Sequence, residues 1–370
     1  MRIDNDVKLD FDDVLIIPQR SSLSSRSEVD LSRTYKFPHC SRSWSGIGII
    51  ASNFDTVGTF EMAKALGKQR MIVALHKFYP VDKLVEFFVE NINLWDNVFY
   101  TIGANSKDWD KLIQVKEKVA EIIHKESIYM EENWEASFPR MLCIDVANGY
   151  QEFFSDWVAK SRKEYPNSII MAGNVVTGNM TEELILNGAD IIKIGIGSGS
   201  VCRTRIKAGV GFPQLSAIDE CSYQAHGLKG HICSDGGITN PGDAAKAFSA
   251  GADFVMLGGF LAGSDECEGE WEYEITEEDD LTNKKKGLRF YGMSSKEAQD
   301  KHNGGLSDYK SSEGKCVTVE YKGPVIDILN DITGGIRSCC SYVGCSKIKD
   351  LPKCASFIMV NKTHNTVFGQ

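Results

Sequence analysis

Eight short apolar runs punctuate the chain. They are residues 47–52 (IGIIAS), 71–75 (MIVAL), 97–102 (NVFYTI), 141–145 (MLCID), 168–173 (SIIMAG), 190–195 (DIIKIG), 230–235 (GHICSD) and 253–258 (DFVMLG). Each is nearly continuous in hydrophobicity, as strands buried on both faces are. Between the runs, apolar positions recur at helical spacing, as in 60–66 and in 181–186. The second of these is introduced by the cap-like TGNMTEEL. An eightfold strand–helix repeat predicts an α/β fold of the TIM (β/α)8 barrel type in preference to an open, doubly wound sheet.

In such a barrel the chemistry gathers at the C-terminal ends of the strands. Here those ends read ASNFDT, LHK, IDVANGY, AGN, GIGSGSVC, SDGG and LGG, a mixture of Gly, Asn, Asp and Lys that a structural face would not need. One stretch departs from the repeat. Residues 265–290, after the eighth run, alternate charged and bulky residues (EWEYEIT), turn through acids and return as KKKGLRFY. This pattern predicts an exposed β-hairpin projecting from a single barrel domain that takes up residues 1–370.

Charge changes the picture only locally. The formal net charge is −10, yet ten of the residues between 265 and 280 are acidic, and setting them aside leaves 41 acids against 41 Lys plus Arg. The acidity belongs to the hairpin and says little about the active face. Neither a nucleic acid nor a membrane is expected as a partner. The N-terminus, MRIDNDVKLDFDDVL, lacks the apolar stretch of a signal peptide, and no run has the length of a membrane span. The eleven cysteines show neither the spacing of a disulfide framework nor any Cys-x-x-Cys pair. A reducing, cytoplasmic location follows from this usage, and a zinc site is not expected.

Candidate chemistry lies at three of the strand ends. Asp235, Gly236 and Gly237 close the seventh run, and Gly258 and Gly259 close the eighth. Glycines there let backbone N–H groups approach an anion, and the loops after strands seven and eight are the usual phosphate site of this fold. Asp235 is placed to accept hydrogen bonds from ribose hydroxyls, or to cap a turn. After the sixth run comes GIGSGSVCRTR. Gly195, Gly197 and Gly199 permit a tight loop whose carbonyls could hold a monovalent cation. Cys202 ends that loop between cationic neighbours, Arg203 and Arg205, which favour a thiolate. The other ten cysteines read as small buried hydrophobes.

GIGSGSVCRTR, together with GNVVTG, IDVANGY, SDGG, YGMSS and SSEGK, closely resembles the IMP dehydrogenase/GMP reductase family. The likeness runs from LDFDDVL near the start to RSCCSYVG near the end. It implies that Cys202 attacks carbon 2 of a purine and that Thr204 and Glu313 relay protons. It further implies NADPH-dependent reduction of GMP to IMP with loss of ammonia, through a covalent thioimidate on Cys202. The resemblance places Asp235, Gly236, Gly237, Gly258, Gly259, Gly292, Met293, Ser294, Lys310 and Gly314 on the nucleotide. It places Lys77, Asp145, Val146, Ala147, Ile196 and Gly197 on the cofactor, with Ser25 and Arg26 serving its adenosine end from a neighbouring subunit of a homotetramer. Gly197, Gly199, Cys202 and Arg205 match a potassium site.

Several positions depart from the pattern of the family's reductive branch. Ser198 replaces a usual proline, Arg203 a threonine, Lys310 an arginine and Phe54 a methionine, and the segment 124–140 is longer. Dehydrogenases of the family carry a regulatory insertion of CBS type after the second strand. Here only about twenty residues follow Lys77 before the third run, an ordinary crossover. The Arg-Tyr pair with which dehydrogenases activate water is missing from the sequence. Two alternatives stay open at this stage: a dehydrogenase without its regulatory domain, and a non-catalytic nucleotide-binding barrel.

Overall fold

The structure is a computed structural model that describes residues 1, 3–128, 130, 134–274, 284–305, 307–309 and 311–361. All eight apolar runs form strands: Ile49–Ala51, Ile72–Ala74, Val98–Ile102, Met141–Asp145, Ile169–Val175, Ile191–Ile194, His231–Asp235 and Phe254–Leu257. They pair in parallel, each with the next, and the eighth returns to the first through Val255↔Ile49, Met256↔Ile50 and Leu257↔Ala51. The fold is a closed (β/α)8 barrel, as the repeat predicts.

Closure explains why the runs are continuously apolar. Successive side chains of a strand point to opposite faces. Ile50, Ile72, Phe99, Cys143, Met171, Ile191 and Cys233 belong to one buried cluster. The intervening Ile49, Val73, Leu142, Ile170, Ile192 and Ile232 belong to another, shared with the helices. The barrel thus has an inner core and an outer one, and both faces of every strand lose water.

A short hairpin, Arg33–Lys36 paired with Ser43–Gly46, closes the N-terminal end of the barrel. Its Tyr35 stacks on Phe254 at 4.4 Å between ring centroids and donates a hydrogen bond to the Asp253 carbonyl at 2.9 Å. The buried Asp253 carboxylate receives Arg33 at 2.6 Å, His226 at 2.8 Å and His231 at 3.2 Å. Burial opposes that charge, but the hydrogen bonds and charge of the two histidines outweigh it and hold the carboxyl well below the usual carboxylate range. This cluster anchors the end of the barrel opposite the glycine-rich loops.

The helix introduced by TGNMTEEL runs Gly178–Leu186, but the Thr177 hydroxyl does not cap it. That hydroxyl pairs with Tyr150, and Glu220 of the neighbouring helix Gln214–Gly227 accepts from the Gly178 N–H at 3.0 Å instead. A distant carboxylate therefore does the work that the local sequence suggested for a threonine.

The excursion after the eighth strand contains Trp271–Glu274 and Lys284–Tyr291 as antiparallel strands, and residues 275–283 of the hairpin lie outside the described residues. A third strand, Cys316–Glu320, unforeseen in the sequence, completes the sheet. The excursion is only partly a solvated one. Its first strand is largely exposed, whereas Leu288, Phe290 and Tyr291 are buried. Among the described residues no helix is long and apolar enough to cross a membrane.

Candidate active site

Backbone pairing builds the centre of the site. Gly314 forms an antiparallel bridge to Cys202. The Arg203 N–H donates to the Glu313 carbonyl at 2.6 Å, and the Lys315 N–H donates to the Val201 carbonyl at 2.9 Å. This short ladder fixes Glu313 beside Thr204. The Cys202 thiol donates to Thr204 Oγ1 at 3.2 Å, and that hydroxyl donates to Glu313 Oε2 at 2.7 Å. Thiol, hydroxyl and carboxylate form one hydrogen-bonded line that can carry a proton away from sulfur and return it.

The line opens into a cavity of about 290 Å³ at the C-terminal mouth of the barrel. Asp235, Gly236, Gly237, Gly258, Gly259, Gly292, Met293, Ser294 and Gly314 border it together with Cys202, Thr204 and Glu313. Lys310 lies outside the described residues. Gly236 has φ +100°, and a Cβ there would stand 2.6 Å from Ser198 Oγ, so both backbone and space require glycine. Ser198 itself donates to the Asp235 carbonyl at 3.2 Å, so the departure from proline adds a contact between the sixth and seventh strand ends. Phe54 and Phe290 form an aromatic wall, with centroids 5.1 Å apart.

One of the two cationic neighbours that the sequence placed beside the thiol, Arg205, is used differently. The Arg205 guanidinium binds Asp10 at 2.8 Å and the Phe212 carbonyl at 2.7 Å, packing over Gly197. Arg205 can therefore offer a cation only its backbone carbonyl. The loop's carbonyls are also less open than expected. Gly195 accepts from Asn174, Ile196 from Phe212 N–H and Gly199 from Cys202 N–H. Each carbonyl keeps a second lone pair. Among the described residues no group of three or more His, Cys, Asp or Glu could hold a metal. At the positions matched to a monovalent cation, Gly197, Gly199, Cys202 and Arg205, the oxygens on offer would be neutral backbone carbonyls, the donor type that a weakly hydrated monovalent ion takes.

The positions matched to the cofactor fall into two groups. Lys77, Asp145, Val146, Ala147, Ile196 and Gly197 sit at the ends of the second, fourth and sixth barrel strands, on the same mouth as the cavity. Lys77 pairs with Asp108 at 3.1 Å, and Ala147 is exposed. An exposed strand end with a cation beside it suits the charged, extended shape of a dinucleotide. Ser25 and Arg26 do not border the cavity of their own chain. They lie in the exposed turn Arg26–Glu28 and its cap, packed on the long helix Val325–Val343.

Sequence reading missed the most deeply buried charge of the site. Lys193, on the sixth barrel strand, is 2 % exposed, and its ammonium pairs with both Asp145 and Asp235, the latter at 3.3 Å. Asn53 donates to Asp145 at 3.0 Å and Asn174 to Asp235 at 2.9 Å. A lone lysine in DIIKIG carries no such signal. Only the alternation of strand faces could have placed it inside the barrel, in the layer that Asp145 and Asp235 share.

A second buried carboxylate holds the helix that follows the Met293–Ser294 edge of the cavity. Asp55, 3 % exposed, accepts at Oδ2 from Tyr291 at 2.7 Å, Lys301 at 2.9 Å and His302 at 2.7 Å. Lys301 and His302 belong to the helix Lys296–Asn303, directly after the cavity-bordering Met293 and Ser294. His302 also stacks on Phe78, next to Lys77, at 3.6 Å. Burial pushes the Asp55 pKa up, but the three donors outweigh it and hold it below its ordinary value. The stabilisation is therefore present above the unfolded carboxyl value of about 3.9 and is lost as pH falls through the lower folded value. Asp55→Asn is expected to cost about 1.5–3 kcal/mol in chemical unfolding at neutral pH, the range for hydrogen bonds to charged groups. Amide exchange in residues 296–303 should accelerate. Unchanged exchange there would show that this helix is held by other contacts.

The chain's likeness to known proteins agrees with this geometry. The family described as "IMP dehydrogenase / GMP reductase domain" matches residues 8–366. The chain is 51 % identical over 368 residues to GMP reductase 1 of Homo sapiens, covering 100 % of this chain and 99 % of that protein. It is 50 % identical to GMP reductase of Phytophthora infestans, over 100 % of this chain and 95 % of the relative. It is 48 % identical to GMP reductase of Photobacterium profundum, over the full length of both. A match of such breadth, on a barrel with this cysteine loop, means that the chain belongs to the IMP dehydrogenase/GMP reductase family.

Proposed function

We propose that this chain catalyses the NADPH-dependent reductive deamination of GMP to IMP and ammonia, in purine nucleotide interconversion. The observation that carries the reading is the line Cys202–Thr204–Glu313 beside the glycine-rich ends of the seventh and eighth strands. Gly236, Gly237, Gly258 and Gly259 offer backbone N–H groups to the phosphate, and Asp235 accepts from the ribose hydroxyls. Phe54 and Phe290 flank the purine.

Cys202 supplies the nucleophile. Its proton moves through Thr204 to Glu313, and the sulfur adds to carbon 2 of GMP. Glu313 returns the proton through Thr204 to the 2-amino group, which leaves as ammonia, so Cys202 holds the purine as a thioimidate. A threonine hydroxyl is too weak an acid or base to act alone, and the carboxylate makes the relay work. NADPH, when bound, supplies the hydride equivalent that reduces carbon 2. Lys77, Asp145, Val146, Ala147, Ile196 and Gly197 would hold it, with Ser25 and Arg26 of a neighbouring copy at the adenosine end. Cys202 then departs from carbon 2 as thiolate, and a proton taken up from solvent by Glu313 passes through Thr204 to restore the thiol.

The proposal includes a potassium ion held by carbonyls of Gly197, Gly199, Cys202 and Arg205, a cytoplasmic homotetramer, and one barrel domain without a regulatory insertion. The crossover after Lys77 holds only the helix Val81–Glu90 and the turn Ile92–Asn97, which supports the last point. That Ser25 and Arg26 do not border the cavity of their own chain supports the oligomer. All eleven cysteines are free, which supports a reducing compartment.

Purified protein with GMP and NADPH in potassium buffer should consume NADPH in step with ammonia release. Reduction of NAD in the presence of IMP would assign the dehydrogenase reaction instead, and no turnover with either pair would favour a binding protein. Glu313→Gln is expected to lower kcat by about 10²–10⁴-fold, the usual worth of general acid–base catalysis. A full rate in that variant would remove Glu313 from the mechanism.

A further inference from the structure

The turn after the eighth barrel strand is gripped by a lysine that the mechanism does not use. The turn begins Gly258–Gly259–Phe260, and the N–H groups of Leu261 and Ala262 close it by donating to the Gly258 carbonyl, each at 3.0 Å. Gly258 and Gly259 border the nucleotide cavity. A Cβ on Gly259 would stand 2.6 Å from Ser200 Oγ, so the turn packs against the loop that carries Cys202. Lys322 reaches the same turn from the excursion. Its ammonium donates to the Gly259 carbonyl at 3.2 Å and to the Phe260 carbonyl at 2.9 Å.

The backbone holds Lys322 in place for this contact. The residue follows the strand Cys316–Glu320, and its N–H donates to the Gly263 carbonyl at 2.9 Å. Gly323 bridges to Ser264 and accepts from the Asp265 N–H at 3.0 Å. Residues 322–323 are thus paired with the far end of the turn, and the long side chain spans back to its start. Among the described residues Lys322 has no ion-pair partner, so no carboxylate cancels its charge. A trans peptide points its C=O and N–H to opposite sides. The Gly259–Phe260 peptide is trans, so with its carbonyl on Lys322 its N–H is turned away from the ammonium. Among the described residues neither that N–H nor the Gly259 N–H donates to a protein group. Two backbone donors left without partners beside a cavity suit an anion.

We propose that Lys322 is a positioning residue for the nucleotide phosphate: by gripping the Gly259 and Phe260 carbonyls it aims the free N–H groups of the turn at the phosphate oxygens. The inference rests on reading Gly258 and Gly259 as the phosphate end of the cavity. Lys322 acts through the peptide and does not touch the ligand. A carbonyl that accepts from an ammonium polarises its own peptide, which makes the N–H on the opposite side a stronger donor. The positive charge behind the turn adds to the attraction for a dianion. No local pattern in the chain marks this lysine, because 63 positions separate it from Gly259.

The test measures IMP and inosine binding to the full chain by calorimetry, without NADPH or NADP, so that no chemistry intervenes. The two ligands differ only in the phosphate. Lys322→Met keeps the length of the side chain and removes its charge and donors. It should weaken IMP by about 10–100-fold, the factor that matches loss of hydrogen bonds to a charged group, and leave inosine unchanged. Lys322→Arg keeps the charge and can donate to both carbonyls, and should recover most of the IMP affinity. Undiminished IMP affinity in Lys322→Met would overturn the proposal. So would a parallel loss of IMP and inosine, which marks a general loosening of the fold, or an arginine variant as weak as the methionine one. Each of these leaves the wild-type preference for IMP over inosine standing. Equal wild-type affinity for the two ligands would instead overturn the phosphate reading of the turn, and this inference with it.

Discussion

Cys202→Ala is expected to lower kcat on the order of 10⁶-fold, the scale seen when a covalent enzyme loses its nucleophile, while GMP still binds. The two halves come from different parts of the site. The phosphate and ribose contacts come from Asp235 and the glycines of the seventh and eighth strand ends, none of which the substitution touches. The sulfur is the end of the proton line, and Thr204 with Glu313 has nothing to activate without it. Calorimetry with GMP and a coupled ammonia assay measure the halves separately. Retained turnover would exclude the covalent route. Lost binding would mean that the loop 195–203 needs the thiol to keep its shape.

Lys193→Met is expected to destabilise the fold by about 3 kcal/mol, the lower end for breaking a buried ion pair by removing one partner. The lower end applies because Asp145 and Asp235 keep 32 % and 21 % of their side-chain surface open to the mouth. Without the ammonium the two carboxylates share the top of the barrel uncompensated. The pH dependence gives the sign. Burial pushes Asp145 up, but Lys193 outweighs it and holds that carboxyl below its ordinary value. Its contribution is therefore present above about pH 4 and is lost as pH falls through the folded value. Burial likewise opposes the Lys193 charge, and Asp145 and Asp235 raise it well above the ordinary lysine value. That contribution is complete below the unfolded lysine value of about 10.4 and is lost only as pH rises through the folded one. Urea unfolding should thus show the gap between wild type and variant at neutral pH and its narrowing below about pH 4. A gap that is constant with pH would assign the loss to packing.

These two residues differ in how far the chain order exposes them. Cys202 is conspicuous because its loop combines three glycines and a thiol within a few residues, and local backbone chemistry suffices to mark it. Lys193 stands in an ordinary apolar run. Its partners are 48 and 42 positions away, and only the closing of the sheet turns the three side chains to one centre. Glu313 is 109 positions from Thr204, and the family resemblance, not spacing, pointed to it. The strand Cys316–Glu320 was unmarked because it is short and lies outside the eightfold strand–helix repeat. It exists because Lys284–Tyr291 offers it an edge.

The sequence alone therefore determined the eight strands, the helices between them and the glycine loops. Each is a local matter of hydrophobic period or backbone freedom, readable within a window of a few residues. The tertiary structure decided what those elements bring together: the proton line, the shared ammonium and the Asp55 cluster. Such contacts depend on distances between residues far apart in the chain, and those distances are set only when the barrel closes. For Cys202 the sequence marked a thiol at a loop end. The fold decided that its hydrogen-bond partner is Thr204 and that Arg205 spends its charge on Asp10.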